Sequence, residues 1–148
     1  MRAGLAAVAL MLAGACAQAQ DYRAVGEAAI VLYDAPSAKS KKLFIVNQGY
    51  PLEVLVVVEG WVKVRDANGG LSWVEAKQLP PKGGPRTVMV KATVAQVRQS
   101  ADESAAVAFQ AQQGVILDLI EVTGNGWLRV RHRDGVTGFV RANQVWGV

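Results

Sequence analysis

An internal repeat limits the folds open to this chain more than any other feature. Gly60-Trp61-Val62-Lys63-Val64-Arg65 returns as Gly126-Trp127-Leu128-Arg129-Val130-Arg131, an offset of 66 residues. Held from Gly60 to Leu79, that offset aligns eight identical pairs, among them Trp61/Trp127, Gly69/Gly135, Val74/Val140 and Gln78/Gln144. Other pairs keep their chemistry, as in Lys63/Arg129, Asn68/Asp134, Trp73/Phe139 and Leu79/Val145. Upstream, with one residue adjusted, residues 49–55 lie over 114–120. Gln99 and Val115 then take the places of Tyr33 and Tyr50.

The repeat divides the chain. Residues 80–86, Pro-Pro-Lys-Gly-Gly-Pro-Arg, forbid a helix or a central strand and are expected to link residues 20–79 to residues 87–148. Each half has about 60 residues, near the lower limit at which a domain buries enough apolar surface without disulfides or metal. Packing of one half on the other would support both.

Within each half the periodicity is that of strands. Val62 and Val64 fall on one face and Trp61, Lys63 and Arg65 on the other. Asn68-Gly69 and Asp134-Gly135 predict tight two-residue hairpins. The β-branched runs 52–58 and 115–122 read as buried strands, with Glu53, Glu59, Asp118 and Glu121 as charged gatekeepers against aggregation. Residues 94–112 are alanine-rich, but Ser100-Ala101-Asp102-Glu103-Ser104 predicts a loop inside them, and at most a short helix. The fold class expected is all-β: two tandem small barrels or sandwiches.

Residues 1–19 read as an export signal peptide. Arg2 supplies the positive start, an apolar run extends from Leu5 to Leu12, and Ala17-Gln18-Ala19 offers a small-x-small cleavage site before Gln20. That run is well short of the ~20 residues a membrane-spanning helix needs. Cys16, the one cysteine, lies in this leader, so cleavage after Ala19 leaves no thiol for a disulfide, metal or nucleophile. Leu12-Ala13-Gly14-Ala15-Cys16 matches a lipobox imperfectly, with Ala13 where a bulky aliphatic residue is usual, so acylation of Cys16 is the lesser expectation.

Sixteen Lys and Arg against twelve Asp and Glu give +4, too mild and too dispersed to argue for nucleic acid. No catalytic residue, metal site or cofactor is expected. His132 is the only histidine and is expected to be exposed, and no Gly-x-Ser-x-Gly, His-Glu-x-x-His or Cys-His arrangement occurs. The residues suited to recognition are aromatic and cationic: Trp61 with Lys63 and Arg65, and Trp127 with Arg129 and Arg131. A ring beside two cations can stack on a sugar or proline and pair with a carboxylate. The competing expectation is that both tryptophans close one end of their barrels. Tyr33, beside Asp34-Ala35-Pro36, is the leading candidate for an exposed ligand-contacting ring, with Tyr50 as a second. Lys39, Lys41 and Lys42 make a short basic loop.

The order of a Val31-Leu32-Tyr33 or 94–98 strand, a loop with Ala-Pro or Ser-Ala, a Gly-then-aliphatic strand, Gly-Trp-x-Lys/Arg-Val, an Asn/Asp-Gly turn and Trp/Phe-Val resembles the bacterial SH3 domain family, twice over. The first half departs in having Ser72 before Trp73, where Gly138 before Phe139 keeps the usual form. The resemblance implies two SH3-like barrels of five or six strands, with the loops at about 34–43 and 99–107 flanking a shallow groove. Many members of that family are extracytoplasmic modules attached to cell-wall enzymes, and several bind peptidoglycan peptides or other proteins. The implied function is non-catalytic binding of a peptidoglycan peptide or an envelope protein, in the periplasm or after secretion. The alternative is an accessory subunit or inhibitor of an envelope enzyme or secretion complex.

Overall fold

A computed structural model describes residues 19–148. The rest of the expected leader, including Cys16, lies outside the described residues. The first half forms one antiparallel sheet from β1 (Asp21–Ala24), β2 (Ile30–Tyr33), β3 (Lys42–Val46), β4 (Pro51–Val58), β5 (Trp61–Arg65) and β6 (Leu71–Glu75), in the order β1-β4-β5-β6-β2-β3. The second contains β7 (Thr87–Val90), β8 (Val94–Arg98), β9 (Val107–Gln112), β10 (Ile116–Val122), β11 (Trp127–Arg131), β12 (Thr137–Arg141) and β13 (Val145–Trp146), in the order β13-β7-β10-β11-β12-β8-β9. Residues 94–112 are thus two strands around a loop, with no helix. The architecture is the all-β, two-unit one expected, except that neither ladder closes by hydrogen bonds into a full barrel. Bulges between Val54 and Val56, and between Leu119 and Glu121, help bend each sheet around its own core.

Each core lies on one face of its sheet. Ile30, Leu32, Val46, Leu52, Val62, Val64 and Val74 fill the first, and Val88, Val90, Val97, Leu117, Leu128, Val130 and Val140 the second. A single 3-10 turn after β6, Ala76–Gln78, and its counterpart Ala142–Gln144 carry Leu79 and Val145 into these cores. Here the halves diverge. Val145 and Trp146 pair with Val90 and Met89 to make the seventh strand. Leu79 is followed by Pro80 and Pro81, which have no N–H to donate, so the first sheet stops at six.

The turns after β5 and β11 are longer than the two-residue hairpins expected. Asp66 N–H donates to Gly70 O at 2.9 Å and Gly69 N–H to Asp66 O at 3.0 Å. Gly69, at φ +83°, is the one left-handed residue of a three-residue loop, and Asn68 keeps a negative φ. His132 N–H to Val136 O, 2.9 Å, closes the equivalent loop around Gly135. Asp66 steadies the first loop further, its Oδ1 accepting from the N–H groups of Asn68 and Gly70 at 2.8 and 3.0 Å.

The one-residue adjustment in the repeat sits in the preceding hairpin. Val58 pairs with Trp61 across Glu59-Gly60 alone, whereas Thr123 N–H reaches Trp127 O, 3.1 Å, across Gly124-Asn125-Gly126. Everything upstream of this hairpin therefore repeats at 65 and everything downstream at 66. Arg98, not Gln99, is the counterpart of Tyr33: Tyr33 faces Trp73 in the ladder, and Arg98 faces Phe139.

The two halves meet along a seam. Trp146 sets its ring edge-on to Tyr22, centroids 5.2 Å apart at 89°, and its Nε1–H donates to Pro51 O at 2.8 Å. Thr87 Oγ1 donates to Gly49 O, and the Arg86 guanidinium, 5.7 Å from the Tyr22 ring, donates to Gly147 O. Burial pushes the Tyr22 hydroxyl above the ordinary tyrosine pKa of 10.0, helped by the charge on Glu53, and burial does the same to Tyr50. A raised folded-state value means stability that is fully present below about pH 10 and lost as pH rises through the folded values. Alkaline unfolding is the expected result. The double variant Tyr22→Phe/Tyr50→Phe should show a flatter stability curve between roughly pH 9 and 11 in urea titrations, and an unchanged slope would exclude these hydroxyls as its cause.

Candidate functional site

Residues opposite one another in adjacent antiparallel strands share a face, so the ladder itself assembles the candidate site. In β5 and β6, Trp61 lies opposite Glu75 and Lys63 opposite Trp73, while Tyr33 of β2 lies opposite Trp73 from the other side. All five stand on the sheet face away from the core. Trp61 packs edge-to-face on Tyr33, centroids 5.4 Å apart at 88°, and the Lys63 ammonium lies 5.9 Å from the Trp73 ring centre. Tyr33 is only 7% exposed, so it is not the open ring expected. It is the buried back wall against which Trp61 is held, and Trp61, Lys63 and Trp73 are half-exposed around it. Two aromatic rings and a cation on one face can stack on an apolar or cyclic group and pair with an anion.

The other expected residues of the first half serve the fold. Tyr50 packs against the core, and its hydroxyl accepts from Ala67 N–H at 3.1 Å, tying the Asp66 loop down. Arg65 donates to Glu53 Oε2 at 2.7 Å. Glu53 is buried, so it is not a solvent-facing gatekeeper: its charge is matched by Arg65 and its Oε1 accepts from Gln20 Nε2 at 3.3 Å.

The same face of the second half has different chemistry. Trp127 is buried, 4% exposed, with the Arg141 guanidinium 4.5 Å from its ring centre; it is covered on the outer face of the sheet and does not close the core in the way the competing expectation had it. Arg129 and Arg131 are exposed, and Arg131 makes a 3.3 Å ion pair with Asp118. Arg98, Glu103 and Arg141 stand where the first half has Tyr33, Ala38 and Glu75. Glu103 bridges the two arginines, Oε1 to Arg141 Nε at 2.6 Å and Oε2 to Arg98 Nε at 3.8 Å. On the core side, Val115 replaces Tyr50 and leaves a groove lined by Phe109, Gln110, Gln112, Val115, His132 and Asp134. His132 is half-buried there, its ring 5.8 Å from that of Phe109 and its Nδ1 3.1 Å from Asp134.

Sequence reasoning thus found Trp61, Lys63 and Tyr33 but missed Trp73 as their neighbour. The alternation Leu71, Trp73, Glu75 marks Trp73 as facing away from the core strand positions Ser72 and Val74. Its pairing with Lys63 follows from the hairpin register, which the loop length sets.

No curated protein matches this chain. Among solved structures, NlpC2 from Trichomonas vaginalis is 14% identical at a TM-score of 0.39, with 87% of this chain and 48% of that one covered. NlpC1 from the same organism is 14% identical at 0.39, with 96% and 51% covered. An NLPC/P60 family protein from Bacillus cereus is 16% identical at 0.38, with 84% and 55% covered. The chain thus spans about half the length of these structures. The family model described as bacterial SH3 domain matches residues 26–80 and again residues 91–147. With two tandem matches over most of its length, each falling on one of the two sheets, this chain belongs to the bacterial SH3 domain family.

Proposed function

We propose that this chain is a non-catalytic module of the cell envelope that binds a peptidoglycan stem peptide across the aromatic face of its first half. The observation that carries this reading is the grouping of half-exposed Trp61, Trp73 and Lys63 over the buried ring of Tyr33. Rings held rigidly by a second aromatic lose little conformational freedom on binding, which suits them as anchors. A non-catalytic role is supported by the state of the buried carboxylates: Glu53 is neutralised by Arg65 and Asp66 is committed to its loop. Export is supported by the placement of β1. It starts at Asp21, so cleavage after Ala19 would leave every described strand intact.

Co-sedimentation of the protein, freed of residues 1–19, with insoluble peptidoglycan tests the reading. Trp61→Ala and Trp73→Ala should each weaken retention about tenfold. Trp73→Ala should leave the thermal midpoint nearly unchanged, whereas Trp61→Ala, which uncovers the buried Tyr33 ring, should also cost about 1 kcal/mol of stability while the protein stays folded. Retention that is equal in wild type and both variants would remove the site, and no retention at all would remove the ligand. The second reading, an accessory subunit, is favoured by the apolar side chains the first sheet exposes, Phe44, Ile45, Val57 and Leu71 among them. It predicts one stoichiometric partner captured from envelope extract, lost in Ile45→Lys.

A further inference from the structure

We infer that the second half carries a separate carboxylate-binding site, formed by Arg98 and by Arg141, which lies over Trp127, and occupied in this structure by the chain's own Glu103. Two guanidiniums converge on one carboxylate, with Nε–O distances of 2.6 Å from Arg141 and 3.8 Å from Arg98. Neither arginine depends on that carboxylate for its position. Arg141 lies 4.5 Å from the centre of the buried Trp127 ring, and Arg98 donates from Nη1 to Ala105 O at 2.9 Å. Glu103, by contrast, is an exposed side chain at 60%, carried on the loop that Gln99 N–H and Ala106 O close at 2.9 Å. An exposed ion pair of this kind is worth at most about 1 kcal/mol, so Glu103 occupies the site only weakly.

The repeat itself isolates the device. The first half builds the same loop, closed by Asp34 N–H and Lys41 O at 3.0 Å, but has Tyr33, Ala38 and Glu75 at the three positions. Both arginines and the acid that bridges them are therefore special to the second half. Planar guanidiniums, one lying over an indole, suit a planar carboxylate better than a spherical anion. Glu103 competes with an incoming carboxylate as a tethered ligand at high effective concentration, which sets a threshold for binding.

The test titrates residues 20–148, as in the co-sedimentation assay, with three probes: acetyl-trialanine with a free C-terminus, the same peptide as its amide, and acetyl-Ala-Asp-Ala amide. Glu103→Gln should raise affinity for the free acid by up to about fivefold in calorimetry, leave the amide unbound, and lose that gain when Arg141→Gln is added. The gain should also fall with added salt. A comparable gain for the aspartyl amide would retain the site and make an acidic side chain its ligand, whereas a gain for the free acid alone would make the ligand a peptide C-terminus. Glu103→Ala serves as the second variant, since it removes the bridge without leaving an amide in place. The inference is overturned if neither Glu103 variant gains affinity for either acid, or if the acid and the amide bind alike. Because the first-half tryptophans are untouched, failure here leaves the peptidoglycan reading standing.

Discussion

Replacing Trp146 by alanine is expected to lower the stability of the whole chain by about 3 kcal/mol and to split one unfolding transition into two. Three contributions disappear together. The ring leaves its edge-to-face contact with the buried Tyr22 at 5.2 Å, Pro51 O loses the indole N–H at 2.8 Å, and a space opens along the seam. Each half retains its own core, so uncoupled halves would melt in sequence. Trp146→Phe should recover much of the loss, because it restores the ring and forfeits only a hydrogen bond worth about 1 kcal/mol. Differential scanning calorimetry reads both effects. A single transition with a loss below about 1 kcal/mol would mean that the halves fold independently of this contact.

The repeat also predicts substitutions of opposite sign at matching positions. A Cβ on Gly138 would lie 2.6 Å from Val97 Cγ1 and 2.8 Å from Arg98 O, the second of these a backbone atom that cannot turn aside. Gly138→Ala should therefore cost about 3 kcal/mol by forcing β8 away from β12. Its counterpart Ser72 already carries a Cβ, and its buried Oγ has no hydrogen-bond partner among the described residues. Ser72→Ala should be neutral or stabilising by about 1 kcal/mol, since it removes a desolvated hydroxyl and leaves the packing. Urea midpoints of the two variants, compared with wild type, check this. Destabilisation by both to a similar extent would show that the sheets do not differ at this position.

Much of the fold was legible because its signals are local. The strands read at 52–58 and 115–122 are β4 and β10 to within a residue, and Val62 and Val64 face the core as their alternation requires. Among the strands that escaped detection, β3 and β7 were not read at all, and β1 and β13 are short and without apolar alternation. Asp21–Ala24 becomes a strand only because Leu52 and its neighbours lie beside it, and Val145–Trp146 because Met89 and Val90 do. Their partners are far away in sequence, and nothing in four or two residues announces them. The candidate site was half legible for a related reason. Trp61, Lys63 and Arg65 were known to share a face, but whether a ring on that face is open, like Trp61, or covered by an arginine, like Trp127, depends on what the neighbouring strand and loop place above it.

From sequence alone it follows that this chain is a duplicated all-β protein, that each copy buries one face of its strands, and that the recurring tryptophans and cations lie opposite the core valines. Those are consequences of a two-residue period and a repeated motif, which any strand must obey. The one-residue shift of the repeat was visible in the sequence, but only the tertiary structure placed the added residue between Thr123 and Trp127 and set Arg98, not Gln99, in the place of Tyr33. It decided too that Pro80 ends the first ladder while Trp146 extends the second and locks it to Tyr22 and Pro51. Register, edge and seam are choices between surfaces that have similar local patterns. They are settled by which side chains fit together across the ladder and not by the preference of any one segment.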